Sequence, residues 1–353
     1  MIRQALILAS ITFFSWPLNA RESTDVIIMT NGDHLTCKIK QLQGGVLYVG
    51  VDYLDGDASV DWKKVAQIQS NQLFIVKRQD GSVFTGTIKT APKKADGQPP
   101  TLEIVDTSPA AKAVPIDLLQ VVEVRQTSEN SFQRWSGSIS SGSTYSKGNN
   151  ATQYNAAFQT RYQQERWATE MNVSSNLAAN SGATTSTRNS LTIDAYHLLP
   201  WEKYFYAGLA DFLQSSVQGI RVQTSLGASI GRILKQDSHS RIAVTGGLAW
   251  QSTNYHEKDV AEPVQNVASG LLGLQVNLFR FSKTELDINA ALFPALSDPG
   301  RFRFSTNASY FVKIFGKVSW NLTFYGNWDT NPPPTFAASD YGTTSGLSWD
   351  FGK

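Results

Sequence analysis

Thr344-Ser-Gly-Leu-Ser-Trp-Asp-Phe351 is the stretch of sequence that decides the fold. Successive side chains of an extended strand point to opposite faces, so Leu347, Trp349 and Phe351 share one face while small and polar residues share the other. This Gly-x-x-Trp-x-Phe pattern is typical of the closing strand of a bacterial outer-membrane β-barrel. The residues expected to be read by the barrel-assembly machinery are Thr344, Gly346, Trp349 and Phe351.

Long alternating runs of the same kind fill the chain after Arg134. In residues 302–312 and 318–328, apolar and aromatic side chains alternate with Ser, Asn, Thr and Arg. Such runs exceed the ~5–6 residues usual in globular strands and match the ~9–11 that cross a bilayer at a tilt. We count about twelve runs from Trp135 onward, an even number as bacterial barrels require. The prediction is an all-β fold with a roughly 12-stranded antiparallel transmembrane β-barrel over residues 135–353.

The segments between these runs fall into two alternating classes. One class consists of short turns, namely residues 163–166, 199–203, 236–239, 279–282 and 314–317. The other class is generally longer and polar, notably residues 179–188, 254–265 and 329–341. Short periplasmic turns that alternate with longer outer loops are typical of outer-membrane barrels. This sorting predicts that the residues before the barrel and the C-terminal strand end both lie in the periplasm.

The N-terminal residues have the features of a secretory signal peptide. Arg3 supplies the positive charge, residues 5–18 form the apolar run, and Ala20 offers a cleavage point. The apolar run is shorter than the ~20 residues of a spanning helix, although an uncleaved anchor stays the alternative. Cys37 is the only cysteine, so no disulfide forms within the chain. Because Cys37 alternates with apolar neighbours, we expect a core residue rather than a reactive thiol.

Between the signal peptide and the barrel, two copies of one pattern are visible. Asn-Gly at 31–32 and Asp-Gly at 80–81 each head a hairpin, because both pairs tolerate positive φ. Val60-Asp-Trp-Lys-Lys-Val-Ala-Gln-Ile68 then aligns without gaps with Ile116-Asp-Leu-Leu-Gln-Val-Val-Glu-Val124. We therefore predict a small repeated SH3-like β module. The predicted boundaries are 1–20 for the signal peptide, 21–127 for the module, 128–134 for a linker and 135–353 for the barrel.

Charge and motif content exclude several classes of function. The chain has 31 Lys and Arg against 29 Asp and Glu, a net charge of +2, so it has no basic surface for nucleic acid. No cofactor or metal is expected, because the sequence lacks a phosphate loop, a nucleophile elbow and a histidine cluster with metal spacing. Asp55, Asp57 and Asp61 lack the bidentate Glu that follows in a calcium loop, so we expect them to be turn residues.

A lipid hydrolase is a distant alternative. Some outer-membrane barrels are phospholipases, which need a Ser and a His on the lipid face and a polar partner that orients the His. His197 lies on the apolar face near a short turn, whereas the other barrel histidines, His239 and His256, fall in a turn and a loop. A histidine at the membrane interface is the simpler interpretation of His197, and we expect the protein not to be an enzyme.

Charged residues on the lumen face of the strands are the candidate functional residues. They are Arg161, Glu170, Asp194, Asp211, Arg221, Arg241, Asp287, Arg303 and Asp350. In one interpretation these charges form internal ion pairs that fill a narrow barrel, as side chains usually do in small barrels. In the other they line a narrow path for small polar or ionic solutes. We favour the first interpretation.

Several barrel motifs carry a family resemblance. They are Trp135-Ser-Gly-Ser-Ile-Ser-Ser-Gly-Ser-Thr-Tyr-Ser-Lys-Gly-Asn149, Ala151-Thr-Gln-Tyr154, Pro200-Trp-Glu-Lys-Tyr-Phe-Tyr-Ala-Gly208, Leu226-Gly-Ala-Ser-Ile-Gly-Arg232 and the closing strand. Residues 135–351 resemble the YdiY-like family of salt-induced outer-membrane proteins, which is a domain of unknown function. The resemblance implies an outer-membrane barrel, and a repeated β module ahead of the barrel is familiar in such proteins. It implies no activity and no catalytic residues.

Two classes of function stay open. The first is a structural or stress-linked protein of the Gram-negative outer membrane, whose periplasmic module binds a protein or the cell wall. The second is a porin-like narrow diffusion channel for small polar or ionic solutes. The expected partners in both cases are outer-membrane lipid and the barrel-assembly machinery.

Overall fold

The computed structural model describes residues 24–54, 57–91, 101–105, 113–127, 134–146, 151–164, 166–179, 185–199, 203–255, 264–280, 284–333 and 336–351. The predicted signal peptide and most of the predicted linker lie outside these residues. All regular elements within them are β-strands, apart from two short 3-10 turns. Among the described residues, none belongs to a helix with the length and apolar character needed to span a membrane.

The N-terminal module is one sheet that folds over itself. Its strands are β1 (Asp25–Met29), β2 (His34–Gln43), β3 (Val46–Gly50), β4 (Asp57–Asp61), β5 (Val65–Arg78), β6 (Val83–Thr90), β7 (Thr101–Val105), β8 (Val114–Asp117) and β9 (Val121–Gln126). They pair in the order β4-β3-β2-β1-β5-β6-β7-β8, and β9 pairs with both β2 and β5. This double pairing of β9 closes the sheet into a small barrel-like unit, as the sequence predicted.

The two sequence copies adopt the same local structure. Asp61 caps a 3-10 turn by accepting a hydrogen bond from the Lys63 backbone N–H, and Asp117 caps the second turn in the same way through Leu119. Each turn leads into a strand of the aligned segments. The long strand β5 belongs to both copies, because its first half pairs with β1 and its second half with β9, while β6 pairs with parts of both halves.

An apolar core holds the module together. Cys37 and Ile39 are fully buried in it, and Trp62 donates its indole N–H to the Leu118 carbonyl, which joins the two copies (3.0 Å). The prediction that Cys37 is a core residue is therefore confirmed. Asp25 is also fully buried, and its carboxylate accepts hydrogen bonds from the Ile39 backbone N–H (2.7 Å) and from Ser70 Oγ (2.5 Å). A buried carboxylate is tolerated here because several donors satisfy it.

The rest of the chain is a closed antiparallel barrel. Its strands are β10 (Trp135–Ser146), β11 (Ala151–Gln163), β12 (Trp167–Ala179), β13 (Ser186–Leu198), β14 (Tyr204–Ser215), β15 (Ile220–Gln236), β16 (Ser240–Tyr255), β17 (Val264–Arg280), β18 (Thr284–Pro294), β19 (Phe302–Phe315), β20 (Val318–Asp329) and β21 (Ser339–Phe351). Each strand pairs with the next in the chain, and β21 returns to pair with β10. The predicted twelve-stranded barrel is confirmed.

The predicted turns and loops lie at opposite ends of the barrel. The short turns join β11 to β12, β13 to β14, β15 to β16, β17 to β18 and β19 to β20, at what we call the turn end. The other connections lie at the loop end, and the one between β20 and β21 spans residues 330–338.

Alternation along the strands separates the two faces of the barrel wall. Leu248, Leu272 and Trp349 are among the large apolar side chains that are exposed on the outside. Ser225, Gln251 and other polar residues at alternate positions are buried inside. An apolar outer band around a polar interior is the arrangement of an outer-membrane-type barrel.

Candidate functional site: the barrel lumen and its two mouths

The barrel encloses a cavity of about 310 Å³ with two kinds of lining. We call the hydroxyl and amide side chains on β10–β13 and β19–β21 the polar wall, which includes Ser138, Ser140, Asn172, Asn307, Asn321 and Thr344. We call the opposing side chains on β14, β17 and β18 the apolar patch, which consists of Phe205, Leu209, Leu213, Leu271 and Phe293. Polar side chains of β15 and β16, among them Ser225, Thr245 and Gln251, also line the cavity between the strands that carry the apolar patch.

Charges gather at the turn end of the lumen. Arg161 pairs with Glu170 through Nε and Oε1 (3.4 Å) and also donates a hydrogen bond to the Tyr196 hydroxyl. The Arg241 guanidinium lies 5.8 Å from the centre of the Tyr196 ring. Nearby, Asp287 accepts a hydrogen bond from Asn277 Nδ2 (2.6 Å). Four of the predicted lumen charges thus lie in one region, and Arg161 and Glu170 form an ion pair there.

The charged region extends into the N-terminal module, at the turn end of the barrel. Lys77 Nζ lies 3.0 Å from Glu123 Oε2, and Arg125 Nε lies 2.7 Å from Glu123 Oε1. Arg125 Nη1 also reaches Ser136 Oγ on the first barrel strand (3.5 Å). These side chains and Arg161 line one cleft between the module and the barrel, of about 240 Å³.

The close approach of these charges shifts the pKa values of two module residues. Burial lowers the pKa of Lys77 to about 8, although the charge of Glu123 opposes the shift. Burial alone would raise the pKa of Glu123, but Lys77, Arg125 and Arg161 together hold it well below its usual range. Glu123 therefore carries its negative charge among three cations, one of which, Arg161, belongs to the barrel.

A second set of contacts fixes the module on the other side of the mouth. Lys313 Nζ of the barrel lies 5.1 Å from the centre of the Tyr48 ring, which is a cation–π contact. Burial raises the pKa of Tyr48 to about 12, and the barrel carboxylates Glu285 and Asp350 add to the shift. The Phe279 side chain packs against Gly44 in the β2–β3 turn. The module thus covers the turn-end mouth.

Two further predicted charges lie on the neighbouring strands β13 and β14. Asp194 stands directly opposite Glu170 in the β12–β13 ladder, so two carboxylates face each other across neighbouring strands. Such like-charged neighbours are unfavourable, and Arg161 beside Glu170 compensates part of the repulsion. Asp211 accepts a hydrogen bond from Thr192 Oγ1 (2.8 Å).

A buried ion-pair cluster lies at the loop end. Asp329 Oδ2 accepts from Arg303 Nε (2.9 Å) and Arg301 Nη2 (2.6 Å). Arg303 Nη1 also donates to Gln251 Oε1 (3.1 Å) and Thr253 Oγ1 (3.2 Å). All five side chains are largely buried. This cluster ties β16, β19 and the β18–β19 loop to the end of β20.

Sequence reasoning missed a second cluster beside the first. Arg188 Nη1 donates to Asp340 Oδ2 (2.8 Å), which also accepts from Ser215 Oγ (2.6 Å). The sequence assigned Arg188, Asp329 and Asp340 to loops or loop edges. The signal that could have found them is the strand alternation, which continues through all three positions.

One residue of the connection between β20 and β21, Phe336, packs against the loop ends of β14, β15 and β16. Its ring stacks on Tyr255, with ring centres 6.3 Å apart and an interplanar angle of 12°. Leu213 and Ile220 complete this apolar cluster.

Arg221 is not a lumen residue, which corrects the prediction. The ladder between β15 and β16 pairs Ile220 with Tyr255 and then Val222 with Asn254, so Arg221 is skipped by a bulge. The buried Ile220 takes the inward position, and the Arg221 side chain is exposed. A bulge inserts one residue and shifts the alternation, which sequence parity cannot detect.

The residues of the closing strand divide between the two faces. Leu347 and Trp349 are exposed on the outside, and Thr344 lines the lumen cavity. Phe351 lies at the turn end, and Asp350 is near the module, where it acts on Tyr48. Gly346 contacts the backbone of β10 closely, because a Cβ there would lie 2.5 Å from the Ser141 carbonyl oxygen.

The other residues considered in the sequence make contacts that stabilise the fold. His197 packs on the Trp167 ring, with centres 4.4 Å apart, and among the described residues its buried Nδ1 has no hydrogen-bond partner. Asp57 pairs with Lys40 (2.6 Å), and Asp61 caps a turn, while Asp55 lies outside the described residues. The described part of the chain contains no group of carboxylates, histidines or cysteines arranged for a metal ion.

The fold and the lumen define an outer-membrane-type β-barrel protein. The family model described as "Protein of unknown function, DUF481" matches residues 139–351, and the chain belongs to this family. The resemblance to YdiY-like proteins seen in the sequence is consistent with it. A search of the curated proteins finds no match.

Several solved barrels are similar to the chain. The translocator domain of autotransporter NalP from Neisseria meningitidis is 14% identical, with 61% of this chain and 86% of that chain covered and a TM-score of 0.33. The beta domain of the Bordetella autotransporter BrkA is 8% identical, with 62% and 97% covered and a TM-score of 0.30. A porin is 8% identical, with 79% and 98% covered and a TM-score of 0.28. The strand register by itself establishes the closed twelve-stranded barrel.

Proposed function

We propose that this protein is a structural component of the Gram-negative outer membrane, in which a barrel closed to flow holds a periplasmic β module at its inner mouth. The observation that carries the proposal is the contact between the two units. Lys77, Glu123 and Arg125 of the module meet Arg161 of the lumen wall, and Tyr48 meets Lys313 on the other side. A module held in this way is presented to the periplasm, where it binds a protein or cell-wall partner.

The connections support the proposed orientation. The module lies at the end with the short turns, which face the periplasm in outer-membrane barrels. The longer connections and the Phe336 loop then face outward. The aromatic and aliphatic side chains on the outer wall, such as Trp349 and Leu272, are suited to contact lipid.

The covered mouths argue against a permanently open pore. At the turn end the module lies across the lumen, and at the loop end two buried ion-pair clusters join strands of the wall, with the Phe336–Tyr255 contact beside them. We propose no catalytic role, because the one histidine on the lipid face at a turn packs on Trp167 instead of pairing with a carboxylate.

A channel is the second candidate, and one observation favours it. The cavity between the mouths is lined by many neutral polar side chains and by Asp194 and Asp211. A polar lumen of this kind would conduct small polar solutes or cations if the module or the Phe336 loop moved aside. The channel would then be gated rather than constitutively open.

Three measurements test the location and the orientation. The protein should be recovered in the outer-membrane fraction and should migrate faster on a gel before heating than after. Protease added to intact cells should leave the module uncut, and permeabilised cells should lose it. Recovery in the soluble periplasm, or cleavage of the module in intact cells, would overturn the proposal. The stress link drawn from the resemblance predicts that protein levels rise with external salt.

A further inference from the structure

The wall of the barrel is incompletely paired at one place. β10 pairs with β11 along all of its 12 residues, but it pairs with β21 only through Gly137–Ser141, which face Leu347–Phe351. The loop-end parts of both strands, residues 142–146 and 339–346, form no ladder pair with each other among the described residues. We call this unpaired stretch the seam.

The strands remain in contact where the pairing stops. A Cβ at Gly142 would lie 2.1 Å from the Ser345 carbonyl oxygen, so only glycine fits there. Gly346 meets the Ser141 carbonyl in the same way. The two glycines are therefore the first residues of the seam, and they hold the two backbones in close contact directly above the paired segment.

The seam lies at the depth of the hydrocarbon. Aromatic residues mark the two membrane interfaces of such barrels, and β21 carries the exposed Trp349 near the turn end and the exposed Tyr341 near the loop end. The residues between these two therefore face the lipid tails. An unsatisfied backbone group costs several kcal/mol in that environment, so an unpaired stretch needs another polar partner.

Polar side chains flank the seam on the lipid side. Ser143 on β10 and Thr343 and Ser345 on β21 are exposed on the outer face. Leucines such as Leu226, Leu248 and Leu272 hold outward positions on β15, β16 and β17, whereas Ser175, Asn189 and Gln214 form a second outward polar group on β12, β13 and β14 that is hydrogen-bonded within itself. Hydroxyl groups at the lipid face are suited to a polar headgroup rather than to acyl chains.

Behind the seam lies the lumen cavity, with its polar wall and its apolar patch. The polar wall begins at the seam itself, with Ser140 and Thr344, and the apolar patch lies on the far side of the barrel. Asn321 in the polar wall is 5% exposed, and its Oδ1 has no hydrogen-bond partner among the described residues. A ligand in this cavity would meet polar groups near the seam and apolar groups beyond them.

We propose that the barrel opens sideways at the seam and admits a single-chain amphiphile from the adjoining leaflet into the lumen. The headgroup contacts the polar wall, and the chain extends to the apolar patch. The cavity of about 310 Å³ is at the small end of the range for ligand sites, which favours one acyl chain over two. The assignment to the outer leaflet rests on the orientation given under Proposed function. The sideways entry route does not depend on that orientation.

The test uses the full-length protein in phosphatidylcholine vesicles with lysophosphatidylcholine that carries a diazirine at the end of its chain. After photolysis, mass spectrometry locates the labelled residues. We expect label on Leu209, Leu271 and Phe293 inside the lumen, in addition to the outward-facing Leu272. Label confined to outward-facing residues in the wild-type protein would overturn the proposal, without bearing on where the protein resides in the cell.

A disulfide lock tests the route. In a Cys37→Ala background, Ser143→Cys with Ser345→Cys places a thiol on each side of the seam. Oxidation should reduce lumen labelling at least tenfold and leave Leu272 unchanged. The control pair, Leu322→Cys with Ser345→Cys, bridges the fully paired β20 and β21 and should leave lumen labelling intact. Lumen labelling that survives the seam lock would contradict lateral entry. If the locked variant does not fold, the wild-type labelling pattern alone decides.

Discussion

Phe351 stacks on Phe158 across the junction that closes the barrel, with ring centres 6.0 Å apart and an interplanar angle of 8°. The two residues lie on β21 and β11, and the intervening strand β10 carries Gly137 between them. A Cβ at Gly137 would lie 2.7 Å from the tip of the Phe351 ring. The aromatic ring therefore occupies the space over a glycine and joins three strands, where the paired segment between β10 and β21 is short.

Loss of this stacking should reduce the amount of folded barrel. We predict that Phe351→Ala combined with Trp349→Ala lowers the yield of heat-modifiable protein in the outer membrane. An aromatic pair contributes ~0.5–1.5 kcal/mol beyond its buried area, and the same residues carry the expected assembly signal. Tyr341→Ala is the control, because it removes an outward aromatic from the same strand but not from the paired segment. Equal yields of the double variant and the wild type would contradict the prediction.

Replacement of Gly137, which lies beneath the Phe351 ring, by alanine should destabilise the barrel. In Gly137→Ala, the new Cβ would also lie 2.1 Å from the Gln159 carbonyl oxygen, so the strands or the ring must move. We expect a lower urea midpoint for unfolding from lipid vesicles. Gly208→Ala on β14 is the matched control, since no atom lies within 4 Å of its Cβ position. If both variants unfold at the same urea concentration, the position of the Phe351 ring does not require a glycine at position 137.

The loop-end cluster predicts an order of stabilities. Asp329→Ala should cost ~3–5 kcal/mol, because it leaves Arg301 and Arg303 buried without their common counter-charge. Arg303→Ala should cost less, because Arg301 still pairs with Asp329. Arg221→Ala should have little effect, because its side chain is exposed. Urea unfolding of the three variants measures the order, and a large loss for Arg221→Ala would show that the bulge is assigned incorrectly.

The module–barrel contact should weaken in acid. The pKa of Glu123 is held far below its ordinary value of 4.5, so its contribution to stability is present above about that pH and is lost as the pH falls below it. Hydrogen exchange in β5 and β9 should therefore accelerate between pH 5 and pH 3, beyond the change caused by pH itself.

Glu123→Gln provides the control for this effect. It should exchange faster than the wild type at pH 7, because Lys77, Arg125 and Arg161 lose their counter-charge. Its hydrogen exchange should also accelerate less than that of the wild type when the pH falls from 5 to 3. An acid response that is the same in both proteins would assign the effect to another group.

Sequence alternation predicted much of the barrel, and its failures have physical causes. Period-two patterns identify strands because each wall residue faces either lipid or lumen, and Arg303 was placed correctly in this way. Arg221 was misplaced because a bulge changes the parity within one strand. Asp340 was taken for a loop residue because strand ends that extend beyond the apolar band lose the lipid-facing signal.

Other features depend on tertiary contacts and had no local signal. The register between the first and last strands, which creates the seam, is set when the barrel closes. The packing of Tyr48 and Glu123 against the barrel depends on how two separately folded units meet. The function of the lumen charges stays a prediction.

Single-channel recording of the purified full-length protein in a planar bilayer tests the central claim most directly. The claim is that the module at one mouth and the Arg303–Asp329 and Phe336 contacts at the other close the lumen to flow. We predict no steady conductance at neutral pH. Phe336→Ala alone should also remain silent, because the module still covers the turn end. Discrete current steps from the wild-type protein, with an ion selectivity that changes in Arg303→Ala, would contradict the account and establish the channel.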